Sequence, residues 1–391
     1  MLSSIATLPP KAIQESVKGL LKDVLEDQFR IPRSQIRVER LRSSSNSHLF
    51  AITLNLVHPF TKPAVAREGN LMPFSRPIPV GTTQLVFRVP KSEASYAIKH
   101  MIAGYAVARD ALKDKKHLVP EVYAWRDSPT NRWVLERHMG GSTVTVEELA
   151  TDEDRIRPLL HQLADVAKRF QEYELPVGLR KFGGVTFDSN NILAAAPLVH
   201  GGPFETHQQF IKAKCRWRLD VSEKVRRIKG WRHSPELRKR IDLFLDEGID
   251  KVLDQLPNCK PILVHSSLTK LVIVDGNTLL GILGFDHVFL SSPISQHMAF
   301  FTNTYENSRD TGRKLHNETF SNLWNDALGD IGMTKPQDIE GAELLGHVWL
   351  FVRHICPEDL GDGQWLEEHE AKALRDKAEA RLDAHLSRWG Y

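Results

Sequence analysis

The hydrophobic pattern changes period at Gly140-Gly141, and this change restricts what the chain can fold into more than any other feature of it. Before it, short apolar runs at Ile36–Leu56, Gln84–Val89 and Trp133–Glu136 are separated by polar and proline-rich stretches, the pattern of strands and turns. After it, apolar residues recur every three to four positions over 146–173, 205–228, 235–256, 339–354 and 364–389, the pattern of helices. Two further helices fall in the first part. One spans 11–29, with Ile13, Val17, Leu20, Leu21, Val24 and Leu25 on one face and Pro32 closing it, and the other spans 92–112. The helical part is itself interrupted at 262–290, where three short apolar runs surround the turn Asp275-Gly276-Asn277. A chain of 391 residues is long enough for two domains. We place them at 1–138, strand-rich, and 139–391, mainly helical.

Composition removes whole classes of function. Hydrophobic residues at 41% and charged residues at 26% are those of a folded protein. The formal charge of +3 provides no global field toward nucleic acid or anionic lipid. Cys215, Cys259 and Cys356 are far apart in sequence, an arrangement that argues against a disulfide framework or a zinc site. The first residues lack a basic region followed by an apolar one, and no apolar run reaches the roughly 18 residues of a membrane span. The expectation is a cytoplasmic protein without membrane or nucleic-acid partners; a protein partner is left open. The basic run 224–240 carries eight Lys/Arg against one Glu and reads either as a solvated helical face or as a site for a small anion. The last helix reads as packing on its own domain or on a partner.

Residues 262–288 (ILVHSSLTKLVIVDGNTLLGILGFDHV) resemble the catalytic segment of the aminoglycoside phosphotransferase and choline-kinase-like superfamily, where H-G-D-x-x-x-x-N, a turn and I-D-[WF] are expected. Arg88 in LVFRVP looks like the basic residue of the third strand, Val119-Pro120 like the proline after the helix, and Trp133–Gly141 like the hinge between lobes. Phe182–Val185 and Gly202-Pro203-Phe204 are similar to landmarks of fungal-type members. The resemblance implies an α+β, bilobal, protein-kinase-like fold with a strand-rich N-lobe and a mainly helical C-lobe holding the 262–288 segment.

The residues that carry the family's chemistry are replaced. The resemblance places the proton-accepting aspartate at Ser267, the two magnesium ligands at Val272 and Gly284, and the helix glutamate that positions the strand cation at Gly104. A serine hydroxyl is a poor proton acceptor near neutral pH, and magnesium requires hard oxygen ligands. The phosphate-covering turn, Ser43–Ser47, has no glycine. Asp286 follows Gly284 by two residues, so on a strand it would share that face roughly 7 Å further along. The expectation is a protein that is not an active phosphotransferase and takes no cofactor or metal.

In the family a groove lies between the lobes, and such a groove without phosphate chemistry accommodates an apolar small molecule. Residues 58–80 combine five prolines with Phe60, Leu71, Met72 and Phe74, either as a lid over such a site or as a surface loop. His265, Asp286 and His287 are the candidate catalytic groups, although His265 also reads as a scaffold residue bonded to backbone. Arg88, Ser267, Phe60, Met72 and Phe74 are the candidate substrate-binding residues, with Arg88, lacking a glutamate at 104, free to clamp a carboxylate or else paired elsewhere. The expected function is metal-free cyclisation or isomerisation, pericyclic closure included, of a terpenoid or polyketide in secondary metabolism. The alternative is a non-catalytic pseudokinase that binds nucleotide or metabolite and docks a partner on its helical lobe.

Overall fold

The computed structural model describes residues 10–41, 47–56, 62–66, 72–91, 98–128, 131–146, 152–269, 271–297, 311–361 and 366–391, with the side chains of 10–14 and 311–318 outside that set. Two compact units divide the chain. The first takes in Met1–Thr145, Thr186–Leu193 and Leu268–His287, and the second Val146–Val185, Ala194–Ser267 and Val288–Tyr391.

The first unit is built on an antiparallel sheet of β1 (Ile36–Arg40), β2 (Ser47–Leu54), β3 (Gln84–Pro90), β4 (Val122–Ser128) and β5 (Asn131–Arg137) in the order β1-β2-β3-β5-β4. Period-two alternation places Phe50, Ile52 and Leu54 of β2, Leu85, Phe87 and Val89 of β3, and Trp133 and Leu135 of β5 in one core. Helix α1 (Pro10–Phe29) closes that core with Val17, Leu21, Val24 and Leu25. It ends at Phe29, as the periodicity expected, three residues before Pro32. Arg30 takes a left-handed conformation (φ 58°), and its amide donates to the Glu26 carbonyl at 3.0 Å, an αL cap, with the Ile31 amide donating to the Leu25 carbonyl at 3.1 Å. Helix α2 (Ile98–Leu112) is buried around most of its circumference, against β4 and β5 and against the turn at 285–287.

A second sheet of this unit contains β6 (Ser142–Val144). Two further strands, β7 (Gly184–Phe187) and β8 (Leu193–Ala196), pair with each other. After β9 (Ile262–His265), the hairpin β10 (Val272–Asp275) and β11 (Thr278–Ile282) turns at Gly276, and β6 completes a three-stranded sheet in the order β11-β10-β6. Residues 268–287, expected with the helical part, therefore cluster with the first unit, because β10 pairs with β6 and the 285–287 turn packs on α2. Gly141 makes the β6 pairing possible. Its φ is +69°, and a Cβ there would lie 2.6 Å from the Val274 carbonyl oxygen.

The second unit is mainly helical: α3 (Glu153–Glu172), α4 (His207–Lys224), α5 (Pro235–Leu243), α6 (Ile249–Leu253), α7 (Thr311–Asp330), α8 (Ala342–Ile355) and α9 (Glu368–Arg388), with β9 paired to β12 (Val288–Ser291). Asp152 caps α3, and Thr206 with Gln209 forms a capping box at α4. Helix α9 packs on its own unit through Ala378, Leu382 and Leu386. Burying each leucine there contributes roughly 1.5–3 kcal/mol. Phe244 stacks on Trp389 with ring centroids 4.7 Å apart in the same core. The sequence reading lacks α7 and β4. In α7 the apolar spacing of Phe320, Leu323, Trp324, Ala327 and Leu328 begins only halfway along, and β4 starts two residues after Pro120 and is broken by a bulge between Val122 and Ala124. No helix among the described residues is long and apolar enough to cross a membrane.

Candidate functional site

In the first unit the register of β3 and β5 sets Val86 opposite Glu136 and Arg88 opposite Val134. Arg88 and Glu136 are thus diagonal neighbours on one face, within reach for long side chains. Arg88 Nη2 donates to Glu136 Oε1 at 3.0 Å, and the Tyr105 hydroxyl from α2 donates to Glu136 Oε2 at 2.8 Å. The two charged side chains are 8% and 3% exposed, so the pair is desolvated. Burial works against the charge on Arg88, but Glu136, Tyr105 and Asp286 outweigh it and raise the guanidinium pKa. Burial, with Glu136 next, holds the Tyr105 phenol well above its ordinary value, against the opposing pull of Arg88.

Of the two expectations for Arg88, the structure shows the paired one. Position 104 is indeed a glycine, but a carboxylate comes from the neighbouring strand, so the guanidinium is paired with Glu136. Glu136 and Tyr105 were missed at the sequence level. A glutamate directly after Trp133-Val134-Leu135 was the available signal, since an acid continuing an apolar strand needs an internal partner.

The structure also changes the geometry around Gly284. Strand β11 stops at Ile282, Gly284 turns left-handed (φ 84°), and Phe285–His287 form a 3-10 turn with the His287 amide donating to the Gly284 carbonyl at 3.0 Å. Asp286 therefore does not repeat Gly284 along a strand face. It acts instead on Arg88 and Tyr105, raising the pKa of each, and its Oδ2 lies 3.6 Å from His287 Nε2. Phe285 meets Tyr105 edge-on, with centroids 4.9 Å apart, which fixes the turn against α2. Val272 is fully buried in the central strand of the β11-β10-β6 sheet. The residues at the resemblance's metal positions, an aliphatic side chain and a glycine, do not fit a divalent cation.

His265 and Ser267 belong to the second unit. His265 is fully buried at the end of β9. Its amide donates to Gln296 Oε1 at 3.0 Å, Gln296 Nε2 donates to its carbonyl at 3.1 Å, and the Ser267 amide donates to its Nδ1 at 3.2 Å. These bonds make the imidazole an anchor for the turn that follows. Ser267 meets it through backbone, not through a nucleophile–base contact. Gln296, not noticed in the sequence, ties down both backbone groups of His265 at the end of β9.

Phe60 and Leu71, like most of the serine run at 42–46, lie outside the described residues. The described parts of the 58–80 segment are tied down. Ala64 and Ile78 exchange backbone hydrogen bonds at 2.9 and 2.8 Å, Ile78 is fully buried with the sheet core, and the Arg76 amide donates to the Val122 carbonyl at 2.9 Å. Trp125 Nε1 donates to the Pro73 carbonyl at 2.9 Å. Phe74 is half-buried with φ 65°, and Met72 is exposed. These contacts cover the open edge of β4.

The basic run is largely absorbed by its own unit. Arg227 donates to the Gly361 carbonyl, Arg232 pairs with Glu223, Arg238 with Glu223 and Asp242, and Arg240 with Asp383. Trp231 is buried and donates to the Ile355 carbonyl at 2.8 Å.

No protein-family model and no curated protein matches the chain. Solved structures do. A thermostable mutant of aminoglycoside phosphotransferase APH(4)-Ia in complex with AMP-PNP and hygromycin B aligns with TM-score 0.51 at 14% identity, over 95% of this chain and 98% of that one. ADP-bound aminoglycoside phosphotransferase APH(2'')-Ib aligns with TM-score 0.51 at 14% identity, over 97% and 99%. The gentamicin complex of APH(2")-IIa gives TM-score 0.50 at 15% identity, over 97% and 98%. The chain has the aminoglycoside phosphotransferase fold, a protein-kinase-like α+β fold, as its sequence resemblance implied.

Proposed function

We propose that this chain is a phosphotransferase-fold protein that does not transfer phosphate, and that it acts as a metal-free biosynthetic enzyme promoting cyclisation or isomerisation of an apolar small molecule. The observation that carries the reading is the pair Val272 and Gly284. A buried aliphatic side chain and a left-handed glycine stand where the resemblance calls for hard oxygen ligands, and Ser267 stands where it calls for a base. Phosphoryl transfer depends on metal and positioned charge, so their joint replacement removes its main source of rate. In the first unit Asp286 and His287 remain as an acid–base pair. A carboxylate beside an imidazole orients the ring for moving a proton, which suits isomerisation.

A thermal-shift series with ATP, with and without magnesium, tests the reading alongside an assay for transfer of the γ-phosphate. The expected result is no magnesium-dependent stabilisation and no labelled acceptor; a shift that requires both ATP and magnesium overturns it. One observation favours the second reading, a non-catalytic nucleotide-binding protein: β3 keeps a cation, Arg88, with a carboxylate to orient it. Stabilisation by ATP that is indifferent to magnesium selects that reading.

A further inference from the structure

Within the second unit, apart from the candidate residues discussed above, polar groups gather without acceptors. Lys214 of α4 holds its ammonium 3.5 Å from the ring centroid of Trp349 on α8, and among the described residues it makes no hydrogen bond or ion pair. The Trp349 indole Nε1 is buried and has no partner. Both ring nitrogens of His200 are likewise buried and without partners, although the ring packs edge-on to Phe210 at 4.9 Å and lies 6.2 Å from both Phe204 and Trp217.

Native proteins rarely leave a buried polar group unsatisfied, yet the Trp349 indole and the His200 imidazole are, and the half-buried Lys214, which lies over Trp349 and acts on His200, has no acceptor among the described residues. Among the described residues no carboxylate acts on either titratable group. Burial pulls the Lys214 amine down to about 7, with Arg218 adding to the effect and Cys215 opposing it. Burial, helped by Lys214, pulls the His200 imidazole down to about 4. An ammonium and an indole N–H have donors only, so the missing component is an acceptor, and the local field of Lys214 and Arg218 favours a negative one. The half-buried rings of Phe204 and Trp217 beside His200, and of Trp349 under the ammonium, offer apolar faces next to the donors.

We propose that Lys214, Trp349 and His200 form a binding site for the carboxylate of a small aromatic acid, with Trp217 and Phe204 holding its ring. Ammonium and indole N–H grip the oxygens, and the imidazole, in whichever tautomer donates, adds a third bond. The site stands on the second unit alone and is independent of the function proposed above.

Benzoate, benzamide and inorganic phosphate serve as probes of the full chain, followed by intrinsic tryptophan fluorescence. Benzoate is expected to give a saturable change with a Kd below about 1 mM. The Lys214→Met variant is expected to weaken it by roughly ten-fold or more, and Trp349→Phe, which keeps a ring under the amine but removes the N–H, by several-fold. Equal responses to benzoate and benzamide, equal or tighter binding of phosphate, no saturable response, or unchanged affinity in Lys214→Met each overturns the proposal. A second measurement needs no variant. Reductive methylation near neutral pH, mapped by mass spectrometry, should modify Lys214 early, and benzoate should slow that modification several-fold; a rate indifferent to benzoate overturns the site.

Discussion

Arg88 on β3 and Glu136 on β5 are diagonal cross-strand partners joined at 3.0 Å in a space almost closed to solvent, and Tyr105 from α2 completes the carboxylate's hydrogen bonding at 2.8 Å. The family resemblance leads one to look for this carboxylate on the helix. Here the helix supplies a hydroxyl and the sheet supplies the charge.

Glu136→Gln removes the countercharge while keeping the shape, leaving a guanidinium buried and unpaired. The expected loss is about 3–5 kcal/mol, read by urea denaturation. The double variant Arg88→Met with Glu136→Leu should recover much of that loss, because the desolvation cost vanishes with both charges. A Glu136→Gln protein as stable as the parent would mean that the pair contributes nothing net.

Gly140 and Gly141 are both left-handed, at φ 71° and 69°, but only Gly141 is crowded. Alanine at 140 meets nothing within 4 Å, so it bears the backbone cost alone, about 1–2 kcal/mol. Alanine at 141 also places its Cβ 2.6 Å from the Val274 carbonyl and must displace β10 from β6. Thermal melting should rank Gly141→Ala clearly below Gly140→Ala. Equal midpoints would show that β6 shifts without penalty.

Much of this architecture was readable because it is local. The period of apolar residues located α1, α3, α4, α8 and α9, and the turn Asp275-Gly276-Asn277 located the β10–β11 hairpin. The misses share a different cause. Whether Arg88 is free depends on a strand 48 residues away, and whether Asp286 continues a strand depends on Gly284 turning left-handed, neither of which leaves a periodic trace. The unsatisfied group at Lys214 was equally invisible, since its partner ring lies on α8, far along the chain.

The 58–80 segment carries structural weight that its proline content conceals. Ile78 is fully buried against the core of sheet and α1, whereas Met72 is exposed. Ile78→Ala should cost about 2–5 kcal/mol through the cavity it leaves. Met72→Ala should change stability by no more than about 0.5 kcal/mol. Comparable effects at both sites, measured by urea denaturation, would mean that the segment is not anchored at Ile78.

The second unit stores an acid sensitivity in its histidines. Burial, aided by nearby cations at some sites, pulls His200, His207, His297 and His385 down to about 4 and His354 to about 3, all from an ordinary value of 6.5. Near pH 5 the unfolded chain therefore binds more protons at these rings than the folded chain does, so stability rises with pH across that window. Their stabilising contribution is complete above about pH 6.5 and is lost as pH falls toward 4. Each ring contributes a slope of up to about 1.4 kcal/mol per pH unit. Urea denaturation near pH 7.5 and pH 5.5 should reveal a loss of several kcal/mol at the lower value. His354 and His385 stack with centroids 5.5 Å apart, so His385→Gln should flatten the dependence by removing one ring and relieving its neighbour. Stability that is level between the two conditions, or a slope that His385→Gln leaves untouched, would place the protonation of these rings outside the folding equilibrium.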